Sequence, residues 1–220
     1  MQRRSRFHEQ IEQVLAEVVR MMELVERATA RATTALLDGD RALAEHVISD
    51  DDEIDGMFRR LDERALELVA TQAPVATDLR ALFATMRMIG DLERSGDLAV
   101  NIAKITRHLE SVRMPARAVG ILRQMGETAV RLLQHARSAV SEREPDAAER
   151  LDLMDDVMDD LRRAMFTELF SREYDGDVEA AVHLSLISRY YERIADHAVA
   201  VAERVEFLVT GKAHEAHVGL

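Results

Sequence analysis

The feature that most constrains this chain is that it is written twice. The stretch DLERSGDLAVNIAKI occupies 91–105 and YYERIADHAVAVAER occupies 190–204. A shift of 99 residues lays Glu93 on Glu192, Arg94 on Arg193, Asp97 on Asp196, Ala99 on Ala198, Val100 on Val199 and Ala103 on Ala202. A shift of 104 lays Asp51 on Asp155 and Asp55 on Asp159. The two shifts differ by five residues, which a shorter connection in the second half absorbs. Whatever the first half folds into, the second half folds into as well.

Helices are what it folds into. Three prolines and nine glycines are few interruptions for 220 residues. They divide the chain into six helical stretches: about Phe7–Leu37, Asp40–Thr71, from Thr77 or Asp78 to Ser111, one opening near Pro115, one opening near Pro145, and a last one ending at Gly211. Stretches this long are stable in water only when packed along their length, so a bundle is the expected architecture. In the last stretch Leu184, Ile187, Tyr191, Ile194, Ala198, Val201, Val205 and Leu208 alternate steps of three and four, the seam of a left-handed bundle. Leu79, Leu82, Met86 and Ile89 do the same in the third. Combined with the repeat, the pattern predicts an all-α fold of tandem duplicated three-helix bundles. The first spans 1–112 and the second 113–212, joined at SVRMPA, with 213–220 as a frayed tail.

Composition narrows the function. The formal net charge of −12 repels nucleic acid and anionic lipid alike. No apolar run approaches the roughly 20 residues a spanning helix needs, so direct membrane insertion is not expected. The absence of cysteine rules out a disulfide framework and fits a cytoplasmic home. No Gly-rich phosphate loop, HExxH or thiol nucleophile is present. A carboxylate-bridged di-metal enzyme in a helix bundle would use Glu-x-x-His, and none of the eight histidines has Glu three residues before it. The expectation is a protein without catalytic turnover.

The repeated acids are the candidate site. Residues four apart on a helix share a face, so each pair places two carboxylates side by side. One such pair means little, because 41 acids in 220 positions supply roughly eight by chance. The correlated set means more. Asp51 and Asp55 with Glu93 and Asp97 recur as Asp155 and Asp159 with Glu192 and Asp196, so two adjacent helices of each half can gather four carboxylates. Oxygen ligands of this kind suit magnesium, manganese, calcium or ferric iron. On a helical wheel Glu192 and Asp196 lie nearly opposite the Leu184–Leu208 seam, which predicts half-exposed sites on the bundle flank. The competing reading is a solvated acidic face with Arg94 and Arg193 as counter-ions, in a metal-independent helical adaptor.

At these residues the chain resembles a known family. DLERSGDLAVNIAK and YERIADHAV, with QAPVATDLR before the first copy and DDEID and DDVMD on the preceding helices, look like PhoU, the bacterial phosphate-signalling regulators. The likeness runs through both halves in the same order. It implies tandem three-helix bundles with metal held at E(D)xxxD motifs. These carry over onto Asp51, Asp55, Glu93, Asp97, Asp155, Asp159, Glu192 and Asp196, with iron, zinc, manganese or magnesium as the candidate ions. It implies a cytoplasmic homodimer working beside the ATPase subunit of the high-affinity phosphate ABC transporter and a PhoR-type sensor histidine kinase. There it would act as a negative regulator of phosphate-starvation genes and of phosphate uptake. The copies differ in detail: Leu98 stands where the second has His197, and Asn101 where it has Ala200.

Overall fold

Helix boundaries follow from local chemistry. In the computed structural model, which describes residues 2–109 and 114–212 and the side chains from Phe7 onward, six helices follow one another. They are α1 (Gln2–Asp38), α2 (Arg41–Gln72), α3 (Thr77–Thr106), α4 (Ala116–Glu142), α5 (Ala147–Leu169) and α6 (Val178–Thr210). Asp40 caps α2, its carboxylate accepting the Leu43 N–H at 2.9 Å. Asp177 does the same for α6 through Ala180 N–H at 2.7 Å. Gly211, at φ +78°, ends α6 in the left-handed conformation that glycine adopts without strain. Two starts fall where the sequence places them but carry no side-chain cap. No side chain caps α3: Ala76 precedes it and Thr77 is already helical. Pro115 lies just before α4, not in its first turn. Ser111, part of the SVRMPA joint and the 213–220 tail lie outside the described residues.

Within the first half α1, α2 and α3 pack on one another, and within the second α4, α5 and α6 do the same. Across the halves α1 runs against α4 and α3 against α6, leaving α2 and α5 on the two outer flanks. Named contacts give the direction. Glu26 meets Arg137 while Glu12 meets Arg143, and Asp91 meets Arg204 while Arg80 lies over the Phe207 ring. Residue numbers fall on one helix as they rise on its partner, so each helix packs antiparallel to its own counterpart. Counterpart on counterpart, in opposite directions, is the arrangement of an approximate two-fold axis between the halves.

The apolar interior is one continuous cluster drawn from all six helices. With aromatics at only 4%, it is built from Leu, Val, Ile, Ala and Met. The exceptions are Phe7 and Tyr191, the latter the largest fully buried side chain, whose hydroxyl bonds Thr33 of α1 at 2.9 Å. The expected α6 seam is buried from Leu184 to Val205, with Leu208 half-buried. The α3 seam is displaced. Leu82 and Ile89 are interior, but Leu79 is exposed and Met86 only half-buried. The interior of α3 instead follows Leu82, Thr85, Ile89, Leu92, Gly96, Ala99 and Ala103.

Candidate functional site

The displaced seam explains where the acids stand. Leu79, Met86, Glu93 and Asp97 form one stripe along the flank of α3, beside the buried face and not within it. That stripe turns toward α2. Asp51 and Asp55 on α2 act electrostatically on Glu93 and Asp97, so the first quartet is assembled from two antiparallel helices. In the second half, Asp155 and Asp159 of α5 meet Glu192 and Asp196 of α6 in the same way. All eight predicted residues therefore fall into two groups of four.

The groups carry an electrostatic cost. Partial burial, followed by repulsion from Asp55 and Asp97, pushes Asp51 up to about 6. Burial, then Asp196, Asp159, Asp152 and Glu192, pushes Asp155 up to about 7. Glu93 and Asp196 are raised as well, chiefly by burial and then by Asp97 and Glu192 respectively. One oxygen of Asp155, Oδ1, is buried without a hydrogen-bond partner. Gly96 lets the first quartet close up: a Cβ there would stand 3.2 Å from Asp51 Oδ1 and 3.1 Å from Ile54 Cδ1.

By chemistry the donor set suits hard cations, since each group sets four mutually repelling carboxylates on facing helices. Among the described residues, however, no three His, Asp or Glu side chains are gathered closely enough to hold an ion.

On the flank, Asp97 of the first quartet and Asp159 and Asp196 of the second are exposed, and Asp51, Asp55, Glu93 and Asp155 are half-buried. Glu192 departs from that expectation and is 7% exposed. Its two oxygens accept from two guanidinium groups, Oε1 from Arg162 and Oε2 from Arg189, and this pairing permits burial. Neither arginine was expected. The signal was in the spacing: Arg162 follows Asp155 by seven on the same helical face, and Arg189 precedes Glu192 by three.

The arginine expected to balance the first quartet, Arg94, makes its ion pair with Asp91 at 3.3 Å and acts on Glu93 only electrostatically. Asp91 is buried and also faces α6, with Arg204 Nη2 at 3.3 Å and His197 Nδ1 at 3.6 Å. His197 thus turns to the seam between the halves, and burial holds its imidazole below the ordinary range. Among the described residues no helix is long and apolar enough to cross a membrane.

Comparison with known proteins agrees with this duplicated geometry. The family model for the PhoU domain matches twice, at residues 18–106 and 122–205. A Mycobacterium tuberculosis protein named phosphate-specific transport system accessory protein PhoU homolog 2 is 44% identical, over 94% of this chain and 98% of its own. A Mycobacterium leprae protein named PhoU homolog 1 is 41% identical over 94% of each chain. The crystal structure of PhoU from Pseudomonas aeruginosa superposes with a TM-score of 0.84 at 30% identity, covering 94% of this chain and all of that one. Six helices in two like halves, a double match to one domain and relatives alike over almost their full length lead to one conclusion: the chain belongs to the PhoU family.

Proposed function

We propose that this protein is an accessory regulator of phosphate transport, acting in the cytoplasm as a negative regulator of phosphate uptake and of the phosphate-starvation response. The observation that carries the reading is the match over nearly the whole chain to proteins named phosphate-specific transport system accessory proteins. In the finer reading it is a homodimeric adaptor between the transporter's ATPase subunit and a PhoR-type sensor histidine kinase. It works by docking, without turnover. Long helices with charged outer faces suit that role, and a net charge of −12 favours basic patches on the partners and a salt-sensitive encounter.

The acid quartets supply the metal part of the proposal. Asp51, Asp55, Glu93 and Asp97 would hold cations between α2 and α3, and Asp155, Asp159, Glu192 and Asp196 between α5 and α6. A bound cation supplies positive charge that relieves the carboxylate repulsion. The residues themselves fix which helices are tied together: the outer helix of each half to a central one. One observation favours metal-independence in part, since Glu192 already has two arginine partners.

Deletion of the gene, with any related copy also removed, tests the regulatory reading. Phosphate-scavenging genes are expected to be expressed even in rich phosphate, and wild-type protein to restore repression. A variant that folds but no longer pulls down the kinase is expected not to restore it. Phosphate-responsive expression after deletion would overturn the reading.

A further inference from the structure

The two quartets share a pattern and differ in their neighbours. On α5 the acidic face continues Asp155, Asp159, Arg162, Phe166, and on α6 it runs Arg189, Glu192, Asp196. The counterparts of Arg162, Phe166 and Arg189 in the first half are Phe58, Asp62 and Gly90. Both oxygens of Glu192 are taken by Arg162 and Arg189. Arg162 is further positioned over the Phe166 ring, 5.5 Å from its centroid, and that ring stacks on Phe170. Among the described residues the first quartet has no such shelf and no such clamp beside it.

The positive charges near the first quartet are weaker substitutes. Arg59 stands 3.8 Å from Asp55 with both side chains well exposed, Arg94 pairs with Asp91 and acts on Glu93 only electrostatically, and Lys104, which acts on Asp51, is an exposed side chain.

We propose that Arg162 and Arg189 are resident counter-ions of the second quartet, and that cation binding is concentrated in the first quartet, Asp51, Asp55, Glu93 and Asp97. The inference rests on the metal reading above and deepens it. A dication entering the second site must break two charge-assisted bonds to a buried glutamate and leave two guanidinium groups beside it. A dication entering the first site displaces no such clamp and removes like-charge repulsion. Gly96 also favours the first site: a Cβ there would stand 3.2 Å from Asp51 Oδ1, and its counterpart in the second half is Ala195.

The test uses full-length protein without a His tag, stripped with chelator and offered Mn2+. Bound metal is counted by mass spectrometry and affinity is measured by calorimetry. Glu93→Gln with Asp97→Asn is expected to remove most of the bound Mn2+, and Glu192→Gln with Asp196→Asn to leave most of it. Arg162→Gln with Arg189→Gln is expected to tighten second-half binding by roughly tenfold or more, and Phe58→Arg to weaken first-half binding by a similar factor. The arginine variant strands a buried glutamate, so its fold is checked by circular dichroism. Phe58→Arg, in the other half, tests the inference even if that variant unfolds.

Equal loss of Mn2+ from both acid variants would overturn the inference while leaving the metal reading intact. So would a folded arginine variant with unchanged binding, or unchanged first-half binding in Phe58→Arg. A wild-type protein that takes up no Mn2+ at either site would overturn both.

Discussion

Thr33 meets two partners where the halves join. Its hydroxyl donates to the Thr29 carbonyl at 2.8 Å, so the Tyr191 hydroxyl, 2.9 Å away, donates to it. Across the same seam Gly126 of α4 has no room for a side chain: a Cβ would stand 2.4 Å from Thr33 Cγ2 and 2.6 Å from its Oγ1. Gly126→Ala is therefore expected to destabilise the protein by about 1–3 kcal/mol, overriding the gain of about 1 kcal/mol that alanine brings inside a helix. Thr33→Ala in the same chain removes the clashing atoms and should recover most of the loss. Urea titration of the two single variants and the double variant measures this, and additive effects would refute the contact. Charge at single residues gives a second expectation. Asp155 is pushed up to about 7, against about 3.9 for an unfolded Asp, so between those values the folded protein holds a proton that the unfolded chain has released. Stability therefore falls as pH rises through that window, and the penalty is complete above it. Asp51, at about 6, adds to the effect in the same direction. In chelator-treated protein the melting temperature should fall less between pH 5 and pH 8 for Asp155→Asn than for wild type. A profile of equal slope would show that Asp155 does not carry the effect.

At the scale of the helices, Asp91 ties α3 to α6. It is buried and placed between Arg94 of its own helix and Arg204 and His197 of the other. Removing a buried charge strands its partners, so Asp91→Ala is expected to cost about 3 kcal/mol. The double variant with Arg204→Ala should cost less than the sum of the two, as a thermodynamic cycle from urea unfolding would show; a strictly additive result would mean that the pair does not interact. Asp91 has no counterpart acid in the second half, where Tyr190 stands. A reading that gathers signal from repeated residues passes over such a position. The same reading finds the quartets, because duplication picks eight acids out of 41. It finds the α6 seam, where steps of three and four define one buried face. It misplaces the α3 seam because α3 packs against α1, α2 and α6 and so is covered on several sides. An apolar stripe on such a helix can belong to its flank, and Leu79, in the first turn beside the exposed Val75 and Phe83, lies beyond that cover. The arginine clamp was hidden for the opposite reason. It breaks the repeat, and only the packing of α5 on α6 brings Arg162 to Glu192.

For the whole molecule, a repeat says that two halves are alike but not how they meet. Here they meet antiparallel, counterpart to counterpart, and the contact is not a thin one. The seam holds Tyr191 against Thr33, Gly126 against Thr33, Glu26 against Arg137 and Asp91 against Arg204. The apolar cluster runs through it without a break. Domains joined by small polar interfaces move and unfold separately, whereas a large apolar one couples them. Each half would expose this apolar seam if the other unfolded. The protein is therefore expected to unfold as one cooperative unit despite its two matches to a single domain. Two probes can check this. Far-ultraviolet circular dichroism follows all six helices. Amide hydrogen exchange read by mass spectrometry follows peptides from each half at the same urea concentrations. The expected outcome is coincident midpoints for 18–106 and 122–205 and for the dichroism signal. Gly126→Ala should shift all three together, because the strain it introduces belongs to the seam. Two separated midpoints, or a Gly126→Ala shift confined to the second half, would show that the halves stand independently and that the antiparallel seam contributes little to holding them folded.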